Sequence, residues 1–269
     1  MFAYLEILRP LNGLMSVFAV FIAAVLIELP ISSQLLLAFI VVFLISSGGM
    51  IINDYFDYKI DKINRPKRPI PSKRISRKAA LSYAISLFLI ANIIALFLNL
   101  YTSALAIFNT FIIFIYSSKL KRRLLIGNLF VSWLVASTFF FGSLLKEMIT
   151  VTILILFLLS FSSNIGREIA KSIEDVKGDR KIKAKTLPIV AGKNFSAWIA
   201  CIFIIFAIIF SFLPYIFGLL NINYLILVII SDVVFVFSCF IVFISPKKSQ
   251  RIMKIAMFIA LVAFLVGTY

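Results

Sequence analysis

Long apolar runs separated by short polar breaks dominate the chain, and the runs are long enough to cross a lipid bilayer. A spanning helix needs roughly 20 mostly apolar residues. Nine windows meet that condition, near residues 13–29, 34–53, 79–99, 102–118, 124–145, 149–170, 195–219, 223–244 and 251–269. Only two connections between them are long, 54–78 and 171–194. The pattern predicts an all-α membrane protein, nine transmembrane helices in a single polytopic domain over 1–269.

Composition agrees. Of 269 residues, 62% are hydrophobic and 14% charged, too apolar for a soluble globule of this size. The formal net charge is +16, which in a soluble chain would suggest a nucleic-acid partner. Here the placement of the cations explains it, and no nucleic acid is implied. Sorted by connection, 26 of the 27 Lys and Arg fall on one side of the membrane, and only Lys146 falls on the other. The positive-inside rule therefore predicts a cytoplasmic N-terminus and two cytoplasmic long loops, in a multi-pass protein of the cell membrane. Nine spans would leave the C-terminus outside. Arg9-Pro10-Leu11-Asn12 precedes the first run with no small-residue cleavage site after it, so the first helix is expected to be retained. Cys201 and Cys239 lie singly in apolar segments and are expected to pack in the core. The chain has no histidine, which removes imidazole bases and the usual transition-metal ligands.

The acids are sorted more narrowly still. Five of the six aspartates, Asp54, Asp57, Asp61, Asp175 and Asp179, stand at the cytoplasmic ends of the second and sixth windows. Carboxylates beside a hydrocarbon phase are expensive and need a reason to be there. On a helix, Asn53, Asp54, Asp57 and Asp61 are related by steps of three and four residues and share one stripe. Clustered carboxylates repel unless a cation joins them, and oxygen-only ligands suit a hard divalent ion such as Mg2+, which keeps waters and completes its shell with substrate phosphates. That chemistry implies a diphosphate substrate at a membrane surface. In the second cluster Arg167, Lys171, Asp175 and Asp179 form an i+4 ladder if the segment is helical, and Gly178 is expected to loosen that helix. An ordinary interfacial salt-bridge ladder would explain one such cluster alone. Acid cluster, basic segment and Pro recur in the same order after both windows, predicting pseudo-repeat halves, about 1–122 and 123–245, plus a ninth helix at 251–269, with the clusters facing across a shared cavity. Asp232, near the middle of the eighth window, could pair with a polar neighbour or line that cavity.

Asn53-Asp54-x-x-Asp57-x-x-x-Asp61 taken with Asp175-x-x-x-Asp179 resembles the paired signature of the UbiA superfamily of intramembrane prenyltransferases. The resemblance extends to Arg9 and Asn12 before the first helix, Asn64-Arg65-Pro66-Lys67-Arg68-Pro69 after the first motif, and Tyr116 with Lys119 after the fourth helix. It implies a nine-helix bundle around a central, lipid-open cavity capped by the two long loops. It also implies two Mg2+ ions, one side held by Asn53, Asp54, Asp57 and Asp61 and the other by Asp175 and Asp179, neutralising a departing diphosphate. Lys67, Arg68, Lys119, Arg167, Lys171 and Lys185 are candidate donors to its oxygens, and Tyr116 and Glu168 candidate contacts to the acceptor hydroxyl. The 29 Phe could supply polarisable walls for an allylic cation.

The run Glu174 to Arg180 and on through Lys185-Thr186-Leu187-Pro188 is most similar to the archaeal ether-lipid branch of that superfamily. The expected reaction is transfer of a geranylgeranyl group from its diphosphate to the free hydroxyl of geranylgeranylglyceryl phosphate. Partners would be the isoprenyl diphosphate donor, the lipid-phosphate acceptor and membrane lipids. The same-class rival is a prenyltransferase of quinone synthesis acting on hydroxybenzoate or naphthoate. A cation-coupled transporter fits less well, because its acids would stand near the midplane.

Overall fold

The computed structural model describes residues 2–121, 123–181 and 184–268. Arg122 and Lys183, counted above among the loop cations, Tyr269 at the end of the ninth window, and the side chain of Asn64 lie outside the described residues. Each apolar window is helical. A short α1 (Phe2–Leu8) meets α2 (Pro10–Leu26) at a bend of 43°, and among the described residues eight helices are long and apolar enough to cross a membrane, or nine if this bent pair is one span. Pro10 lacks an N–H and stops the ladder of α1, and Arg9 between them takes a left-handed conformation, φ 50°. The chain continues through α3 (Ser33–Phe56), a short α4 (Tyr58–Asn64), α5 (Arg77–Ala95), α6 (Leu100–Ile115), α7 (Ile126–Ser143) and α8 (Val151–Lys181). The single turn α9 (Leu187–Val190), α10 (Lys193–Phe210), the single turn α11 (Leu213–Ile216), α12 (Ile222–Ile244) and α13 (Pro246–Val266) complete it.

Ser32, Ser76 and Asn99 accept the first free backbone N–H groups of α3, α5 and α6, which explains why those helices begin where they do. Large apolar side chains on the outer faces stay exposed. On α12 these include Ile226, Ile229, Ile230, Val233, Phe237 and Phe240, at helical spacing along one face. Such a surface is stable only in lipid. Inside, small residues let helices approach closely. A Cβ on Gly142 of α7 would fall 2.8 Å from Ala23 Cβ and 2.9 Å from the Val20 carbonyl of α2. Helix pairs are also joined by hydrogen bonds. Asn109 Nδ2 donates to Ser137 Oγ at 2.9 Å, Trp133 Nε1 donates to Asn109 Oδ1 at 3.0 Å, and Asn164 Nδ2 donates to Ser132 Oγ at 3.0 Å. Cys201 and Cys239 are free thiols, and the Cys201 thiol reaches the Cys239 carbonyl from α10 to α12.

Two features differ from the expectations. The sixth span does not end with its apolar run, since α8 continues to Lys181 and carries the second acidic cluster as regular helix. Gly178 does not loosen it and is buried within it. The segment Tyr116–Leu120 that follows α6 is a π-helical turn, closed by Lys121 N–H to the Tyr116 carbonyl at 2.9 Å.

Candidate active site

The C-terminal ends of α3, α6 and α8 and the N-terminal end of α2 meet at one end of the bundle and surround the mouth of a cavity of about 540 Å³. Asn53, Asp54, Asp57 and Asp61 line it from one side, and Arg167, Glu168, Lys171, Asp175 and Asp179 from the other. The first stripe survives the junction of α3 and α4 because the N–H groups of Asp57 and Asp61 still bond four residues back, at 2.9 Å each. Asp57 itself sits at φ −83°, ψ 2°, the bridge conformation common at functional positions. Packing of α4 on α8 brings the two clusters to the same space.

Each carboxylate of the first stripe is held by a cation. Arg9 Nη2 lies 2.5 Å from Asp54 Oδ1, and Arg68 Nη1 bridges Asp54 Oδ1 at 3.0 Å and Asp61 Oδ2 at 2.6 Å. The left-handed turn at Arg9 aims its side chain inward, so a conformation that costs of order 1–2 kcal/mol is retained at the site. Arg68 is delivered by the loop 65–76, whose Ile70 and Ile75 are buried with Ile7 of α1 in one apolar cluster. Arg74 closes that loop onto α1 through Glu6, Nη1 to Oε2 at 2.5 Å, and donates to the Lys67 carbonyl at 2.6 Å. Asn53 Oδ1 accepts from Ser117 Oγ at 2.8 Å.

Asp57 Oδ2 pairs with Lys121 Nζ at 2.5 Å. Burial works against the Lys121 ammonium, but the Asp57 carboxylate outweighs it and holds the pKa above the ordinary lysine value. Lys121 therefore stays cationic throughout the neutral range. On α8, Glu168 is buried and clamped between Arg167 Nη2 at 2.6 Å and Lys171 Nζ at 3.0 Å. Arg167 is steadied in turn by Asn164 Oδ1.

Of the residues singled out in the sequence, Arg9, Asn12, Asn53, Asp54, Asp57, Asp61, Arg68, Tyr116, Arg167, Glu168, Lys171, Asp175 and Asp179 all line the cavity. Lys67, Lys119 and Lys185 do not, and are exposed. The π-turn explains why Lys119 stays outside. It adds a residue to the turn, so the position that returns beneath Tyr116 is five residues on, which is Lys121. Sequence reasoning missed Lys121, Arg65, Lys254 and Thr186 as wall residues. The buried Thr186 Oγ1 has no partner among the described residues. The cluster of cations after α6 carried a signal, but the π-turn that selects among them leaves none. Asp232 fulfils both readings, lining the cavity and accepting from Ser211 Oγ at 2.7 Å.

Residues 14–262 match the UbiA prenyltransferase family. The chain belongs to that family. It is a multi-pass membrane prenyltransferase. It is 39% identical over 269 residues to digeranylgeranylglyceryl phosphate synthase of Methanosphaera stadtmanae, covering 98% of each chain. A solved structure of a digeranylgeranylglyceryl phosphate synthase superposes with a TM-score of 0.82 at 35% identity, over 98% of this chain and 97% of the other. A UbiA homologue from Archaeoglobus fulgidus, solved bound to GPP and Mg2+, shares the fold with a TM-score of 0.74 at 17% identity, over 98% and 99% of the two chains.

Proposed function

We propose that this prenyltransferase acts in membrane ether-lipid synthesis, moving a geranylgeranyl group from geranylgeranyl diphosphate to the free hydroxyl of geranylgeranylglyceryl phosphate. The observation that carries this reading is the 39% identity, along the whole chain, to an enzyme named for that product. The cavity supports it physically. One end is rich in carboxylates and cations, and the walls beyond, such as Phe139, Leu156, Val228 and Phe264, are apolar. That is the polarity of a diphosphate head on an isoprenoid tail.

The donor set fits Mg2+. Asn53, Asp54, Asp57 and Asp61 would hold one ion, and Asp175 and Asp179 a second, all through oxygen. Among the described residues no three acids stand as a ready-made metal group, and Arg9, Arg68 and Lys121 engage oxygens of the first stripe. The Mg2+ bound with GPP in the A. fulgidus homologue supports the presence of a metal ion here. When bound, Mg2+ neutralises charge on the departing diphosphate.

The chain's own residues do the rest. Arg9, Arg68 and Lys121 face the diphosphate end and donate to its oxygens as negative charge grows there. In the transfer the bond from the allylic carbon to the diphosphate oxygen breaks, with its electron pair leaving on the diphosphate. The acceptor hydroxyl oxygen bonds to that carbon, and the hydroxyl proton is released. The apolar walls exclude the water that would otherwise capture the allylic cation. The charge distribution, with 26 of 27 basic residues on one side, supports a diphosphate end facing the cytoplasm in the cell membrane. The pseudo-repeat is supported by packing order, α2 on α3 and α3 on α5 in the first half, α7 on α8 and α8 on α10 in the second.

The deciding experiment supplies labelled geranylgeranyl diphosphate to the purified protein with either geranylgeranylglyceryl phosphate or hydroxybenzoate. The expected product is the diether phosphate, lost with EDTA and restored by Mg2+. Product from the aromatic acceptor alone would overturn the reading. The π-turn makes a second prediction. Lys121→Met is expected to lower kcat/KM for the donor by ~10-fold or more, because it removes from the cavity wall the ammonium that pairs with Asp57 Oδ2, while Lys119→Met stays within about 2-fold. Equal losses from the two would contradict the register seen after α6.

A further inference from the structure

Five cations of the cavity wall are already engaged. Arg9, Arg68 and Lys121 hold the first acidic stripe, and Arg167 and Lys171 hold Glu168. Arg65 belongs to the same end, close enough to Arg9 to repel it. Lys254 is different. It lines the cavity from α13, which carries no acid, and no hydrogen bond or ion pair joins it to another described residue. It lies eight residues into α13, about 12 Å along the helix axis. The helix begins with the polar run Pro246 to Arg251, so Lys254 stands about one turn into its apolar part and is exposed, and an ammonium there is costly unless it reaches water or an anion.

The rest of its stripe indicates which anion. Lys247, Arg251 and Lys254 follow one another at i, i+4 and i+7, and Phe258 and Leu261 extend the same face four and seven residues further. Lys254, Phe258 and Leu261 all line the cavity. Across from them α2 contributes Asn12, Met15, Ser16 and Ala19, again at helical spacing, and the rings of Phe18 and Phe258 lie 6.1 Å apart. Lys247 and Arg251 are exposed outside the lining, so Lys254 is the cation this stripe gives to the wall, with apolar side chains beyond it, complementary to a second amphiphile carrying one phosphate on a long isoprenoid chain. The donor's diphosphate has its own cations at the acidic clusters, so the acceptor's phosphate needs another.

We infer that Lys254 binds the phosphate monoester of the lipid acceptor and thereby directs its glycerol hydroxyl toward the diphosphate end. The inference rests on the proposed acceptor and adds the residue that recognises it. Lys254 is a binding residue and takes no part in bond making.

The test uses the full-length protein in phosphatidylcholine vesicles, with Lys254→Met and Lys254→Arg beside the parent. Lys254→Met, which keeps length and apolar bulk, is expected to raise KM for geranylgeranylglyceryl phosphate about 10-fold or more, the effect of one charge-assisted contact. The donor KM and kcat at saturating acceptor stay within about 2-fold, and Lys254→Arg restores most of the loss. Geranylgeranylglycerol, which lacks the phosphate, is expected to bind parent and Lys254→Met alike, as substrate or as competing inhibitor. A rise in donor KM instead, or an equal loss for both acceptors, overturns the inference; equal loss would mean that Lys254 serves bulk lipid headgroups or packing. If the parent itself makes no product from geranylgeranylglyceryl phosphate, the acceptor reading fails first and takes the inference with it.

Discussion

Asp57→Ala and, separately, Asp175→Ala are expected to lower prenyl transfer by at least ~10³-fold, about 4 kcal/mol of transition-state stabilisation, while the protein still inserts and purifies as a folded helical bundle. Asp57 stands at the junction of α3 and α4, in the bridge conformation, with its carboxylate drawn onto Lys121 beside the buried Tyr116. Removing it takes an oxygen from the stripe and takes from the Lys121 ammonium the carboxylate it pairs with. Asp175 enters from α8 on the other side of the same cavity. Neither residue is part of the three apolar clusters that hold the helices together, so insertion should survive. Turnover with labelled donor, beside circular dichroism of the purified variants, checks both halves of the statement. Substantial Mg2+-dependent turnover by purified Asp57→Ala would remove the metal assignment.

Gly166→Val is expected to damage both fold and activity, although Gly166 touches no substrate. A Cβ there would fall 2.8 Å from Ile204 Cγ1 and 2.9 Å from the Ala200 carbonyl of α10. Ile204 can turn aside, but the carbonyl is backbone and can move only with its helix. Overpacking of a close helix contact costs roughly 1–3 kcal/mol even when the chain adjusts. Here the adjustment would push α8 away from α10 one residue before Arg167 and Glu168, so the second acidic ladder would shift with it. The expected readout is a lower Tm in detergent together with loss of transfer. An unchanged Tm and full activity would show that α8 and α10 do not approach so closely.

Much of this arrangement is legible in the chain because bilayer and helix geometry leave few choices. Apolar length determines the spans, since no other backbone form satisfies its own polar groups in lipid. The steps of three and four from Asn53 to Asp61 and from Arg167 to Asp179 determine that each set shares a face, provided the segment is helical. Both are, and all of those residues meet at one cavity. The cations were harder to sort. Arg68 reaches the acids because Ile70 and Ile75 bury the loop beside Ile7, while Lys67 next to it points outward. Lys121 replaces Lys119 because a π-turn changes the count by one, and no residue type announces such a turn.

By itself, then, the sequence determined the membrane class, the number of apolar spans and the two acidic stripes, because these depend on local length and period. Tertiary structure alone decided which cations the acids hold, where Asp232 finds its hydroxyl partner, and that Lys254 enters the cavity wall with no partner among the described residues. Those pairings join residues far apart in the chain, and their energy depends on distances that only the packed helices set.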